Sequence, residues 1–268
     1  MKTIRAFLVV TAWLFAVSGC KSSYGHRPAP HPYDRILSEA GIKYTIHGLR
    51  ADGSFGIVLY ELGKEGLSPL RGMPLTFVNA FTVKPDFDDL SPLKGMRLYC
   101  LYLPSRCAVA DLSPLSGMPL EMLSLQGSRV ADLSPLRGMK LKSLDINGCQ
   151  VVNLLPLRDT SVENLSMDRT KVRDLSPLKD IPGLRSLFLG CPSWYSATPM
   201  IDKDAPGNSV PDLSPLKDVP LESLTFPADT WTNGVDKLRD HKALKTINGM
   251  KPADFWKAYD EGRFKKTR

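Results

Sequence analysis

Leu112-Ser-Pro-Leu-Ser-Gly-Met-Pro-Leu120, followed at once by Glu121-Met-Leu-Ser-Leu125, is the stretch whose reading decides the architecture. Its Leu-Ser-Pro-Leu element recurs. It begins at Leu67, Leu90, Leu112, Leu133, Leu175 and Leu213, with a Leu-Leu-Pro-Leu variant at Leu154. Successive starts lie 23, 22, 21, 21, 21 and 38 residues apart. Asp89, Asp111, Asp132, Asn153, Asp174 and Asp212 stand directly before six of the seven motifs. After each motif comes a short leucine-spaced segment, from Leu75-Thr-Phe-Val78 to Leu221-Glu-Ser-Leu224-Thr-Phe226, and Leu244-Lys-Thr-Ile247 closes the series. A self-similar period near 21 residues marks a solenoid.

The letters of one period dictate its shape. In Leu123-Ser-Leu125 the leucines fall on one face of a strand and the serine on the other. A single strand of this kind cannot bury its leucines alone, so neighbours stack in parallel around a shared core. Val109, Val130, Val151 and Val172 each precede a Leu-x-Pro-Leu motif by three residues and extend that core. Serine is a good cap and proline suits the start of a helix, and with about six residues left before the next strand a 3₁₀ turn fits. The expected fold is α/β: a leucine-rich-repeat solenoid with parallel β-strands on the concave face and short 3₁₀ turns on the convex face, capped at both ends.

Leu67-Ser-Pro-Leu-Arg-Gly-Met-Pro-Leu75 and Leu112-Ser-Pro-Leu-Ser-Gly-Met-Pro-Leu120 resemble the repeats of bacterial leucine-rich-repeat proteins of internalin type, and more closely those of many envelope and multidomain bacterial proteins. The resemblance spans about residues 57–250. Some such relatives carry the repeats beside a protein-kinase domain. This chain has no glycine-rich loop, His-Arg-Asp or Asp-Phe-Gly, so that activity does not carry over.

The segments outside the repeats divide in turn. Lys2 and Arg5, the apolar run Ala6–Val17 and the small residues Ser18 and Gly19 read as an export signal over residues 1–19. Val17-Ser-Gly-Cys20 resembles a bacterial lipobox, which implies lipidation of Cys20 and a membrane-anchored lipoprotein of the bacterial cell envelope. Residues 20–32 are polar and proline-rich, a tether. An N-terminal cap follows over 33–66, with a helix at Tyr33–Ala40 and strands at Ile42–Ile46 and Phe55–Leu62. The repeats occupy 67–250 with an insertion at about 191–210. Val235–His241 reads as helical, and Pro252–Tyr259 opens a C-terminal capping helix and basic tail over 251–268, with Phe255, Trp256 and Tyr259 set to cover the last strand.

Composition and residue placement exclude most chemistry. The formal net charge of +7 is too small to argue for nucleic acid, and outside the leader no stretch approaches the ~20 apolar residues of a membrane span. The polar strand positions are Asn79, Tyr102, Ser124, Gln126, Asp145, Asn147, Asn164, Asp168 and Thr225, with no histidine among the four of the chain. Nucleophile–histidine catalysis is therefore not expected. Asp145 and Asp168, on adjacent coils, read as solvated surface rather than a catalytic pair. Cys107, Ser128, Cys149 and Thr170 occupy one position five residues before each motif, so Cys107 and Cys149 lie two coils apart, about 10 Å, beyond disulfide reach. Buried filler is the reading for these cysteines. No cofactor and no metal are expected.

Two function classes remain: a binding module for a protein or surface glycan, and a passive structural component of the envelope. An apolar patch favours the first. Phe77, Phe81, Tyr102 and Met122 fall on the N-terminal concave strands, and Trp194 and Tyr195 in the insertion. Such side chains are enriched at interfaces. On the convex side, Arg71, Lys94, Arg137, Arg158, Lys179 and Lys217 form a basic row that reads as solvated, with anionic headgroups or polysaccharide as the sharper option. The chain is expected to act as a monomer.

Overall fold

The structure is a computed structural model and describes residues 31–80, 87–190, 212–229 and 231–264. Ten strands form one sheet in sequence order: β1 (Lys43–His47), β2 (Phe55–Glu61), β3 (Leu75–Asn79), β4 (Cys100–Tyr102), β5 (Met122–Ser124), β6 (Ser143–Asp145), β7 (Asn164–Ser166), β8 (Ser186–Phe188), β9 (Ser223–Thr225) and β10 (Thr246–Ile247). Among the ten strands of the described residues, β1 and β2 pair antiparallel as a hairpin and each later strand pairs parallel with its neighbour. The register carries Leu101, Leu123, Leu144, Leu165, Leu187 and Leu224 into one buried row. Burial of like side chain against like side chain is what joins the coils.

Each Leu-x-Pro-Leu motif is a 3₁₀ turn, for example Ser113–Leu115, Ser134–Leu136 and Ser176–Asp180. One detail differs from the sequence reading. The serine does not cap the turn; leucine occupies the cap position and makes no side-chain hydrogen bond there. The acid before the motif supplies the acceptor instead. Ser91, Ser113, Ser134, Ser176 and Ser214 donate their backbone N–H to the carboxylates of Asp89, Asp111, Asp132, Asp174 and Asp212 at 2.7–2.9 Å. Asn153 does the same for Leu155 at 2.9 Å. A side chain accepting from the amide two residues on is an Asx turn, which frees the leucine to point into the core. In four coils the turn then leaves through a basic or serine residue and a glycine of positive φ: Gly72, Gly95, Gly117 and Gly138. Those angles match a type II turn, whose third position requires φ > 0.

Both ends are closed. The N-terminal helix (Asp34–Glu39) buries Leu37, and Tyr44 donates to the Asp34 carboxylate. His31, read from sequence as part of the tether, packs its ring 4.5 Å from that of Phe55 and so belongs to the cap's contacts. At the other end Val235–Leu238 is a further 3₁₀ turn rather than an α-helix, and the capping helix runs Pro252–Asp260. Phe255 is fully buried against Phe226, Trp256, Tyr259 and Phe264, with ring centroids 5.0–5.9 Å apart. Arg239 ties the helix to the last coil through Asp260 and the Trp256 face. Among the described residues no helix is long and apolar enough to cross a membrane.

Candidate functional site

The parallel register lines up the outward strand positions in rows along the concave face. One row runs Phe77, Cys100, Met122, Ser143, Asn164, Ser186, Ser223 and Thr246; a second runs Asn79, Tyr102, Ser124, Asp145, Ser166, Phe188 and Thr225. The first row passes from Phe77, Cys100 and Met122 to small polar residues, whereas the second sets Tyr102 near its start and Phe188 near its end among polar residues.

At the N-terminal end the structure brings Phe77, Tyr102 and Met122 together. The Phe77 and Tyr102 rings meet edge to face at 6.1 Å, and the Tyr102 hydroxyl lies 3.7 Å from Met122 Sδ. Tyr99, which the sequence reading did not single out, joins them 6.4 Å from Phe77, with the Arg50 guanidinium 5.8 Å over its ring. The cap does not bury this shelf. Strand β2 places Gly56 opposite Phe77, and a Cβ there would come within 3.0 Å of the ring, so Phe77 leans over a glycine and stays half-exposed. Cys100 lies beneath, fully buried, and burial pushes its thiol up to about 12. Phe81, Trp194, Tyr195 and Cys20 lie outside the described residues.

The middle of the face is polar and hydrogen-bonded across coils. Ser105 donates to Gln126 at 2.9 Å, Ser124 to Asp145 at 3.4 Å, and the Asp168 amide to Asn147 Oδ1 at 2.6 Å. Asp145 and Asp168 depart from the sequence expectation: they are half-buried, not solvated. Burial raises both carboxyls, and the charge of Asp168 raises Asp145 further, while Arg169 partly offsets the effect on Asp168. Each is spoken for by neighbouring donors. Asp145 accepts from the Asn147 amide, and Asp168 pairs with Arg169 at 3.4 Å. Asn164 and Thr225 lie farther along the same rows, and His47 and His241 sit in the cap hairpin and beyond β9, off this face.

The cysteine register holds. Cys107, Ser128, Cys149 and Thr170 are all buried, and Cys100, Cys107 and Cys149 are free thiols. Cys149 donates to the Leu125 carbonyl at 3.1 Å and lies 3.4 Å from Ser128 Oγ, so this column satisfies backbone and side-chain partners inside the coil.

One feature of the face escaped the sequence reading. From the third parallel coil onward, the residue after the first core leucine (or valine) alternates in sign: Glu121, Lys142, Glu163, Arg185, Glu222 and Lys245, while uncharged Thr76 and Tyr99 hold that offset in the first two. Lys142 pairs with Glu121 at 2.8 Å, and Arg185 and Lys245 both pair with Glu222, at 2.9 and 2.6 Å. The signal was there to be read, because it repeats at the same offset in six successive coils.

No family model matches the sequence, and no curated protein matches it. Solved structures do. An internalin C2 (inlC2) from Listeria monocytogenes aligns with a TM-score of 0.54 and 20% identity, covering 82% of this chain and 92% of that one. An internalin (inlF) from the same organism aligns with a TM-score of 0.51 and 20% identity, over 72% of this chain and 59% of its own length. At that identity the likeness speaks for architecture, and in its architecture this chain is an internalin-like leucine-rich-repeat solenoid.

Proposed function

We propose that the chain is a non-catalytic binding scaffold that recognises a protein partner, or a surface glycan, through the N-terminal part of its concave face. The observation that carries this reading is the shelf of Phe77, Tyr99, Tyr102 and Met122. These side chains face outward, where folding does not require apolar residues, yet they cluster and stay half-exposed. Rigid aromatic side chains of this kind supply much of the energy of protein recognition. Phe81 is assigned to the same shelf, and the Trp194-Tyr195 segment to a second contact, on sequence grounds. The chemistry for catalysis is poor: the paired carboxylates Asp145 and Asp168 already have donors, and the thiols of Cys100 and Cys149 are held protonated by burial.

The test is binding of a partner captured from cells. Tyr102→Ala is expected to weaken it by about 2 kcal/mol, roughly thirtyfold, with Trp194→Ala also losing affinity. Ser223→Ala at the far end of the face should bind as wild type. Wild-type binding by both aromatic variants, at unchanged unfolding midpoints, would remove the concave shelf from consideration.

The same reading places the protein in the bacterial envelope, anchored through lipid on Cys20, where several acyl chains at about 0.8 kcal/mol per buried methylene hold a protein firmly. Palmitate labelling that is lost in Cys20→Ala supports this anchoring; an unlabelled, soluble wild type refutes it.

A further inference from the structure

We propose that the alternating charges Glu121, Lys142, Glu163, Arg185, Glu222 and Lys245 encode the register of the solenoid, telling each coil which neighbour to stack on. The need for such a code follows from the sameness of the buried leucine row and of the turns. Leu123, Leu144, Leu165, Leu187 and Leu224 are interchangeable in the buried row, and the Asp-capped turns repeat from coil to coil. Three successive motif spacings of 21 residues make the coils between Leu112 and Leu175 equal in length as well. A chain in which one coil is skipped, or replaced by a coil from another copy, would still match leucine to leucine. Identical coils therefore leave a repeat chain open to misassembly and swapping.

The ladder distinguishes these arrangements. In the native stack each ladder residue after Glu121 donates its backbone N–H to the carbonyl of the ladder residue one coil earlier, so neighbouring side chains leave adjacent strands side by side. Every native neighbour is then of opposite sign: Glu121 beside Lys142, Lys142 beside Glu163, Glu163 beside Arg185, Arg185 beside Glu222, Glu222 beside Lys245. Skipping one coil reverses every rung. Glu121 would meet Glu163, Lys142 would meet Arg185, Glu163 would meet Glu222, and Arg185 would meet Lys245. Like charges directly opposite on paired strands are unfavourable, and opposite charges favourable. Alternation is the one pattern that makes nearest neighbours attract while all second neighbours repel.

Two details fit this role better than simple stabilisation. The paired side chains are mostly exposed, where ion pairs add little to stability, so their value lies in discriminating against wrong pairings. The code also continues across the long spacing between the sixth and seventh motifs: Arg185 and Glu222 are 37 residues apart and still pair. That junction separates strands β8 and β9 by the longest stretch of chain in the repeat region, so closure there is the costliest to get right.

The test compares three full-length chains refolded from urea by dilution into detergent at two protein concentrations. One is wild type. The second has all six ladder residues changed to glutamine. The third has every ladder charge inverted, with Glu121→Lys, Lys142→Glu, Glu163→Lys, Arg185→Glu, Glu222→Lys and Lys245→Glu, which preserves alternation. Wild type and inverted chains are expected to refold to monomer in similar yield. The glutamine chain should give a several-fold larger, concentration-dependent fraction of swapped oligomer, while its correctly folded monomer unfolds at nearly the wild-type midpoint. A glutamine chain that refolds as cleanly as wild type overturns the proposal. So does an inverted chain that misassembles. If the glutamine chain yields no folded monomer at all, the inverted chain alone decides, supporting the code by wild-type yield and refuting it by loss.

Discussion

The convex and concave sides of this solenoid are made by the same coils under different constraints. On the convex side, an acid, a leucine, a serine, a proline and a leucine return in nearly every coil, because each position is constrained by the turn itself. The acid holds an amide, the leucines fill the core, and the proline starts a tight turn. On the concave side the residue changes with each coil, from Tyr102 to Ser124, Asp145, Ser166, Phe188 and Thr225 along a single row. Where the fold leaves a position free, the identities there are available for recognition. The carboxylates show the contrast electrically. Those of the convex turns are held below the usual range, by the serine amide and then its hydroxyl for Asp89 and Asp111, and by the serine hydroxyl and then its amide for Asp132, Asp174 and Asp212. Those of the concave face, Asp145 and Asp168, are raised by burial.

The largest separation between the two sides is expected in the middle of the stack. Leu144 is fully buried between Leu123 and Leu165, so Leu144→Ala should cost about 3 kcal/mol in urea unfolding. Its concave neighbour Ser143, changed to alanine, should stay within about 0.5 kcal/mol. Equal effects from the two would erase the distinction.

The rim where the strands leave the concave face is intermediate. Gly127 has a φ of +68°, and a Cβ there would lie 2.9 Å from the Arg106 backbone nitrogen, so Gly127→Ala should destabilise by about 2 kcal/mol. Arg169 holds a comparable left-handed angle of 54° one coil beyond Gly148. Arg169→Gly should therefore stabilise by up to about 1 kcal/mol in the same assay, since its part-exposed pair with Asp168 adds little.

A convex cap should matter less. Asn153→Ala removes the acceptor for the Leu155 amide and is expected to lower stability by about 1 kcal/mol, read as a shifted urea midpoint at unchanged slope.

The smallest effect is the one that tests the electrical contrast directly. The fold disfavours the charged form of Asp145, so its contribution is most favourable below the ordinary carboxylate range and declines as pH rises through its raised pKa. Asp145→Asn should unfold at a slightly higher temperature than wild type at neutral pH, with the gap closing on acidification. The convex aspartates run the other way: their stabilisation is present above the ordinary range and is lost as pH falls through their lowered pKa. Thermal unfolding of wild type and Asp145→Asn between acid and neutral pH checks the sign, and a gap that widened in acid would invert it.

What could be read without coordinates was whatever depends on spacing along the chain. The 21-residue period, the inward leucines, the buried column of Cys107, Ser128, Cys149 and Thr170, and the helix read over Pro252–Tyr259, which runs one residue further, all follow from local periodicity, which a linear sequence displays in full. What needed the folded stack was every property set by residues one coil away. The Asx cap is the local exception: it joins residues two apart and went unrecognised because serine and aspartate compete for that role, which the carboxylate's approach to the amide settles. Asp145 and Asp168 looked solvated because they lie on an open face, yet stacking of the coils half-buries both, and Ser124 of the preceding coil reaches Asp145. Phe77 stays half-exposed because Gly56, 21 residues earlier, carries no side chain to cover it. Period is a property of one strand of sequence, whereas burial, pairing and charge state belong to neighbours that only the stacking of coils brings within reach.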